Sequence, residues 1–122
     1  MQMIKHPVRL TLGCDRDMML VLRMTTVGVL AQASFGLDRA DEIKLAVDEA
    51  AKPFMSVAES ITAEFVYVQD GLHITIGATD RTPIAPDPTE WMVLLCVLES
   101  MGCSVNVIGE ENPCALELIC RA

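Results

Sequence analysis

The dipeptide Asp70-Gly71 lies between two apolar runs, 63–69 and 72–78, and this arrangement restricts the fold more than any other feature of the sequence. Asp-Gly suits the type I′ turn, whose central residues need positive φ and whose twist matches that of the flanking strands. The expectation is an antiparallel hairpin. Leu72, Ile74 and Ile76 should face the core, with His73 and Thr75 on the opposite side. A second hairpin closes the chain, from 103–109 through the turn Glu110-Glu-Asn-Pro113 to 114–121, with Leu116 and Leu118 inward.

The remaining elements follow from periodicity and punctuation. Val8, Leu10 and Leu12 alternate with Arg9 and Thr11 as a half-buried strand that Gly13 ends. Asp15 is placed to cap a helix over 16–34, with Leu20, Met24, Val27 and Ala31 along one stripe and Gly36 as its stop. Asp38 starts a second helix by the same logic, in which Ala40, Ile43, Val47, Ala50 and Phe54 keep a helical period. Pro53 lacks the N–H that would bond the Glu49 carbonyl, so this helix is expected to kink or end one turn after Glu49. The stretch 79–87 contains two prolines and no period, and reads as a loop. It leads into Asp87-Pro88-Thr-Glu90, a cap, a first-turn proline and an acid three residues after the cap. The third helix runs from there to Gly102. Val93, Cys96 and Val97 make it apolar on most faces, so it should be central or covered by a partner.

The order is β-α-α-β-β-α-β-β within a single domain spanning 1–122. Three helices of similar length can cover one face of the sheet formed by the hairpins. The expected fold class is α+β, a two-layer α/β sandwich with a mixed, mostly antiparallel sheet.

Composition removes several function classes. The 122 residues include 9 Lys+Arg and 17 Asp+Glu, a formal net charge of −8. Nucleic acid and anionic membrane both require cationic surface, so neither is an expected partner. The longest apolar run, 91–98, is far shorter than the ~20 residues of a spanning helix. The beginning of the chain lacks the order of a signal peptide, and a cytoplasmic protein is expected. Cys14, Cys96, Cys103, Cys114 and Cys120 form no C-x-x-C pair and lie among apolar neighbours. They read as buried, reduced thiols rather than a zinc site or disulfide framework. The 8 Met, against 3 Phe, 1 Tyr and 1 Trp, favour adaptable packing or malleable interfaces, for which Met18, Met19, Met24, Trp91 and Met92 are candidates.

Common catalytic signatures are missing. There is no P-loop, no G-x-G-x-x-G after a strand, no H-E-x-x-H and no Ser/His/Asp set, and His6 and His73 read as surface side chains. Taken alone, the second helix is amphipathic with a solvated acidic face. Its text, Asp41-Glu-Ile-Lys-Leu-Ala-Val-Asp-Glu-Ala-Ala-Lys-Pro-Phe-Met55, together with the order of elements, resembles the anti-sigma-factor serine kinases of the GHKL (Bergerat-fold, histidine-kinase-like) ATPase superfamily. There the equivalent helix reads D-I-x-L-A-V-S-E-A-x-x-N-A. The resemblance covers nearly the whole chain and is carried best by 43–50. It implies a sandwich that holds ATP and Mg²⁺, phosphorylates an anti-sigma antagonist on serine and silences a sigma factor.

Carried over residue by residue, the resemblance assigns the family's general base to Glu49 and its adenine-binding aspartate to Asp80, with Thr82 in the same nucleotide-binding element. The magnesium-ligating asparagine aligns with Pro53, so no metal ligand is expected there. In the D-x-G-x-G element, here Asp80-Arg-Thr-Pro-Ile84, both glycines are replaced. The eight residues 81–88 leave no room for a Gly-rich phosphate lid, and the family's late Gly-Thr aligns with Pro113-Cys114. Losing the metal ligand, glycines and lid together leaves the triphosphate charge uncompensated. The expectation is a pseudo-ATPase with a vestigial Glu49 and no cofactor. It would act by binding a protein: a sigma factor, an anti-sigma antagonist or a second copy of itself. The alternative is an active serine kinase using ATP and Mg²⁺, with a partner supplying the missing phosphate contacts. An unrelated α+β domain with accidental similarity in one helix is the third reading.

Overall fold

Five strands and three helices follow one another as β1 (Val8–Gly13), α1 (Met18–Ala31), α2 (Leu37–Met55), β2 (Ser60–Val68), β3 (Gly71–Ala78), α3 (Pro88–Ser100), β4 (Cys103–Ile108) and β5 (Ala115–Cys120). The computed structural model describes residues 7–33, 35–69, 71–109 and 111–121. His6, Ser34 at the expected end of the first helix, Asp70 of the hairpin turn and Glu110 of the last turn lie outside the described residues.

The strands form one sheet in the order β1-β2-β3-β5-β4. All four pairings are antiparallel, so the sheet is not mixed. The reason lies in the connections: β2–β3 and β4–β5 are hairpins, and β5 returns beside β3 with opposite direction. Register runs straight across the sheet. Leu10, Ala63, Ile76, Leu116 and Val107 make one rung, and Val8, Phe65, Ile74, Leu118 and Val105 the next on the same face. Tyr67, Leu72, Cys120 and Cys103 make the third. Ile61, Leu72, Ile74, Ile76, Leu116 and Leu118 are fully buried, as the period-2 pattern requires. Thr62, Glu64, His73, Thr75 and Glu117 occupy the other face.

The apolar face is covered chiefly by α2, whose Ile43, Ala46, Val47, Ala50, Ala51 and Phe54 have no exposed surface. Its three buried alanines let the helix lie close to the sheet, and Phe54 fills the space beyond them. Burying one such large side chain stabilises by roughly 1.5–3 kcal/mol. The helix continues two residues past Pro53 and does not stop there. Only one intrahelical bond is lost so close to the end, and Ser56 N–H to the Lys52 carbonyl (3.2 Å), Ala58 N–H to Phe54 (2.9 Å) and Ser56 Oγ to Pro53 (3.1 Å) close the last turn. Gly36 does not stop α1; it precedes α2 as its N-cap.

Helix α1 also begins and faces differently from the sequence expectation. Asp17 occupies the cap position, while the Asp15 carboxylate accepts from Asp17 N–H (3.1 Å) in the preceding turn. The buried side is Leu22, Thr26, Val29 and Leu30, whereas Leu20 and Met24 are 61% and 60% exposed. Thr26 can go inside because its hydroxyl donates to the Leu22 carbonyl at 2.8 Å, satisfying the polar atom within the helix. Tyr67 Oη donates to the Val29 carbonyl at 2.9 Å and ties this helix to β2.

The start of α3 follows its capping sequence, with the Asp87 carboxylate accepting from Glu90 N–H at 3.0 Å. It packs beside β4 at the end of the sheet and buries only Leu98 completely, leaving Met92 and Val93 exposed. Cys96 is exposed as well, which corrects the expectation of uniformly buried thiols. Among the described residues, no other element covers that side of the helix. Among the described residues, no helix is long and apolar enough to cross a membrane.

Candidate functional site

Two adjoining hollows lie where the end of α2, the loop 79–87 and the start of α3 meet. The first, about 390 Å³, is bounded by Glu49, Lys52 and Pro53 of α2, Ile84 to Asp87 of the loop, and Glu90, Trp91 and Leu94 of α3. The second, about 500 Å³, is bounded by Glu59, Ser60, Thr79, Asp80, Thr82 and Pro83. Both are walled by Val57, Ile84 and Ala85. Glu49 and Pro53 therefore line one hollow, Asp80 and Thr82 the other, and the loop runs between them.

Each candidate residue is engaged locally. Glu49 Oε1 accepts from Lys52 Nζ at 2.7 Å, an i,i+3 ion pair on the outer part of the helix. Asp80 Oδ1 accepts from Thr82 N–H at 3.0 Å, forming a tight turn, and the carboxylate is solvent-exposed. The Thr82 side chain, followed by its backbone N–H, holds the Asp80 carboxyl below the usual carboxylate range. Between them Arg81 adopts φ 60°, the left-handed conformation that non-glycine residues avoid. Asp87 is occupied as the cap of α3.

The loop itself is pinned by Ile84. Its side chain is 6% exposed and belongs to the hydrophobic core, and its N–H donates to the Pro113 carbonyl at 2.8 Å. Pro113 precedes β5, and the adjoining Cys114 N–H bonds the Ile108 carbonyl at 2.9 Å. Two positions at which the resemblance requires small, flexible residues thus hold each other in place. An isoleucine embedded in the core occupies space that a glycine would leave open.

These residues do not fit a magnesium triphosphate. Pro53 offers no side-chain oxygen, Glu49 is paired with Lys52, and Asp80 Oδ1 accepts from the Thr82 N–H of its own loop. Among the described residues, no group of three or more His, Cys, Asp or Glu is arranged to hold a metal ion. Chemically the region is a hollow of mixed polarity, lined by Pro53, Val57, Ile84, Trp91 and Leu94 together with Glu49, Lys52, Asp87 and Glu90. Lys52 and Ile84 were not site candidates from the sequence, and Trp91 was one only for adaptable packing or an interface. The spacing of Glu49 and Lys52 signals their pairing, but nothing in an aperiodic loop signals that Ile84 turns inward.

No protein-family model matches this sequence, and no curated protein matches it significantly.

Proposed function

We propose that the chain is an anti-sigma-factor-like regulatory protein on a GHKL-type scaffold, acting in transcriptional or stress signalling by binding another protein. In this reading it is a pseudo-ATPase. The observation that carries it is the Ile84–Pro113 contact: at the position where the resemblance calls for a glycine close to a nucleotide, the Ile84 side chain is buried in the core and its N–H is bonded to the Pro113 carbonyl just before β5. The Glu49–Lys52 pair supports the same reading, because the carboxylate assigned as the family's base is engaged by a lysine of its own helix.

The protein-binding half of the reading rests on exposed apolar side chains. Leu20 and Met24 on α1 and Met92 and Val93 on α3 present hydrophobic surface on two helices, a feature that goes with macromolecular contact. The partner class expected from the resemblance is a sigma factor or an anti-sigma antagonist.

Calorimetric titration with ATP and Mg²⁺ tests the first half. No heat of binding is expected in the micromolar range, and micromolar affinity would overturn the pseudo-ATPase reading. Transfer of labelled γ-phosphate to a co-purified antagonist, abolished by Glu49→Ala, would establish the serine kinase instead. Affinity capture from the native cell followed by identification of a sigma factor or antagonist tests the second half.

A further inference from the structure

Cys103 begins the edge strand β4 and Cys120 ends β5, and the two are directly opposed in the antiparallel register. Opposed residues have Cα atoms about 4.5 or 5.5 Å apart, both within the range a disulfide accepts. The side chains point to the same face, and their sulfurs are 3.4 Å apart in the core. Closing to a bond of about 2.05 Å requires a small approach and no rearrangement of the strands. From this placement we infer that Cys103 and Cys120 form a peroxide-reactive dithiol, a site of reversible oxidative modification closed by a cross-strand disulfide.

The surroundings distinguish the two sulfurs. Arg39, near the start of α2, lies against Cys103, and its guanidinium is held by the carbonyls of Met101 (2.6 Å), Gly102 (2.8 Å) and Arg121 (2.7 Å). These carbonyls flank the two cysteines in sequence, so the cation is fixed at their rung. The hydrogen bond from Cys120 and then the Arg39 charge hold the Cys103 thiol below its ordinary range, against burial and the nearby Glu42. Cys120 is pushed up by the same hydrogen bond and by burial. Lying on the edge strand directly after two of the carbonyls that hold Arg39, Cys103 is assigned as the nucleophile and Cys120 as the resolving thiol. Cys103 also lies at the margin of the sheet, beside the Gly102 turn, and the proposed reaction requires this margin to open enough to admit a water-sized oxidant.

The oxidant is hydrogen peroxide. The Cys103 thiolate attacks one peroxide oxygen, forming S–O while O–O breaks, and the departing hydroxide takes up a proton to become water. The Cys120 sulfur then attacks the Cys103 sulfenic acid. The S–S bond forms, S–O breaks, and the second hydroxide leaves as water with the Cys120 proton. Two thiols and one peroxide become one disulfide and two waters, the sulfurs oxidised and the peroxide reduced.

The test uses the reduced full chain, treated with hydrogen peroxide in the presence of a chelator, alkylated, and cut by a glutamate-specific protease at the glutamates that separate the two cysteines in sequence. Mass spectrometry should find the Cys103 and Cys120 peptides joined and lighter by two hydrogens, with the link removed by a dithiol reductant. In Cys120→Ser the link should be lost and a sulfenic-acid reagent should label Cys103; in Cys103→Ser, Cys120 should remain a thiol. The map of the unsubstituted chain decides the matter even where a serine variant fails to fold. Oxidation confined to exposed Cys96, or peroxide-treated protein in which Cys103 and Cys120 both remain alkylatable, would overturn the inference.

Discussion

Lys52 Nζ sits 2.7 Å from Glu49 Oε1, so a carboxylate that lines the first hollow already carries its own cation. The two side chains are 60% and 35% exposed, which keeps the pair in a high-dielectric setting. Lys52→Ala should therefore change the unfolding free energy by less than about 1 kcal/mol in urea titration. If Glu49 and Lys52 serve only each other, neither Lys52→Ala nor Pro53→Asn should create Mg²⁺-dependent nucleotide binding, because Ile84 still fills the loop. Binding gained by Pro53→Asn alone would show that the proline was the obstacle.

Ile84 makes the opposite prediction. It is a loop residue by position and a core residue by burial, so Ile84→Ala should behave like a core truncation and cost about 2–5 kcal/mol. An ordinary loop substitution would cost a few tenths. Denaturant titration of the variant separates the two, and a loss below about 0.5 kcal/mol would show that the loop does not depend on this anchor.

Which parts of this arrangement were legible beforehand follows from how each signal is encoded. The central hairpin was readable because a strict period of two specifies the buried face, but its turn was not: Gly71 pairs with Val68 and begins β3, so it is not a central residue of a type I′ turn. The start of α3 was readable because capping is local chemistry. The orientation of α1 was not: Leu20, Met24, Val27 and Ala31 share a helical stripe, and so do Leu22, Thr26, Val29 and Leu30. A helix apolar on both sides has no preferred face until its neighbours are placed. The pairing of Cys103 with Cys120, and the grip of Arg39 on the same rung, depend on strand register across 17 and 82 residues of sequence, respectively. Local patterns do not encode such separations.

Arg39 is expected to be a stability residue. Its guanidinium, with a side chain 17% exposed, donates to three backbone carbonyls from two strand ends. Hydrogen bonds from a charged donor contribute more than neutral ones, so Arg39→Ala should cost about 2–4 kcal/mol. Arg39→Lys should recover part of this at most, because an ammonium cannot reproduce the planar fork. Equal stability of the lysine variant and the native chain, measured in urea, would count against the geometry.

Tyr67 predicts an alkaline transition. Burial pushes its hydroxyl from the ordinary value of 10.0 up to about 12, while Oη donates to the Val29 carbonyl. Because the folded-state value is raised, the folded chain retains the proton longer than the unfolded chain does. The contribution is fully present below pH 10.0 and is lost as pH rises through the folded value near 12. Phenolate absorbance should therefore titrate late in the folded protein. Tyr67→Phe should show a smaller loss of stability over that interval and, at neutral pH, a deficit of about 1 kcal/mol from the missing bond.

The two stripes of α1 provide the most direct test of how the helices are set against the sheet. Leu22 has no exposed surface, whereas Leu20, two residues earlier, is 61% exposed. Both are leucines in the same turn of helix, so propensity and composition are matched and only packing differs. Leu22→Ala should cost about 2–5 kcal/mol, and Leu20→Ala less than about 0.5 kcal/mol. Comparable losses at both positions in urea unfolding would mean that Leu20 is also covered, and that the exposed stripe is not a surface open to another protein. A large loss at Leu20 alone would restore the face that the sequence spacing favours. The expected asymmetry leaves Leu20 and Met24 free for contact, so charged substitutions there should spare the fold while weakening capture of a partner that docks on α1.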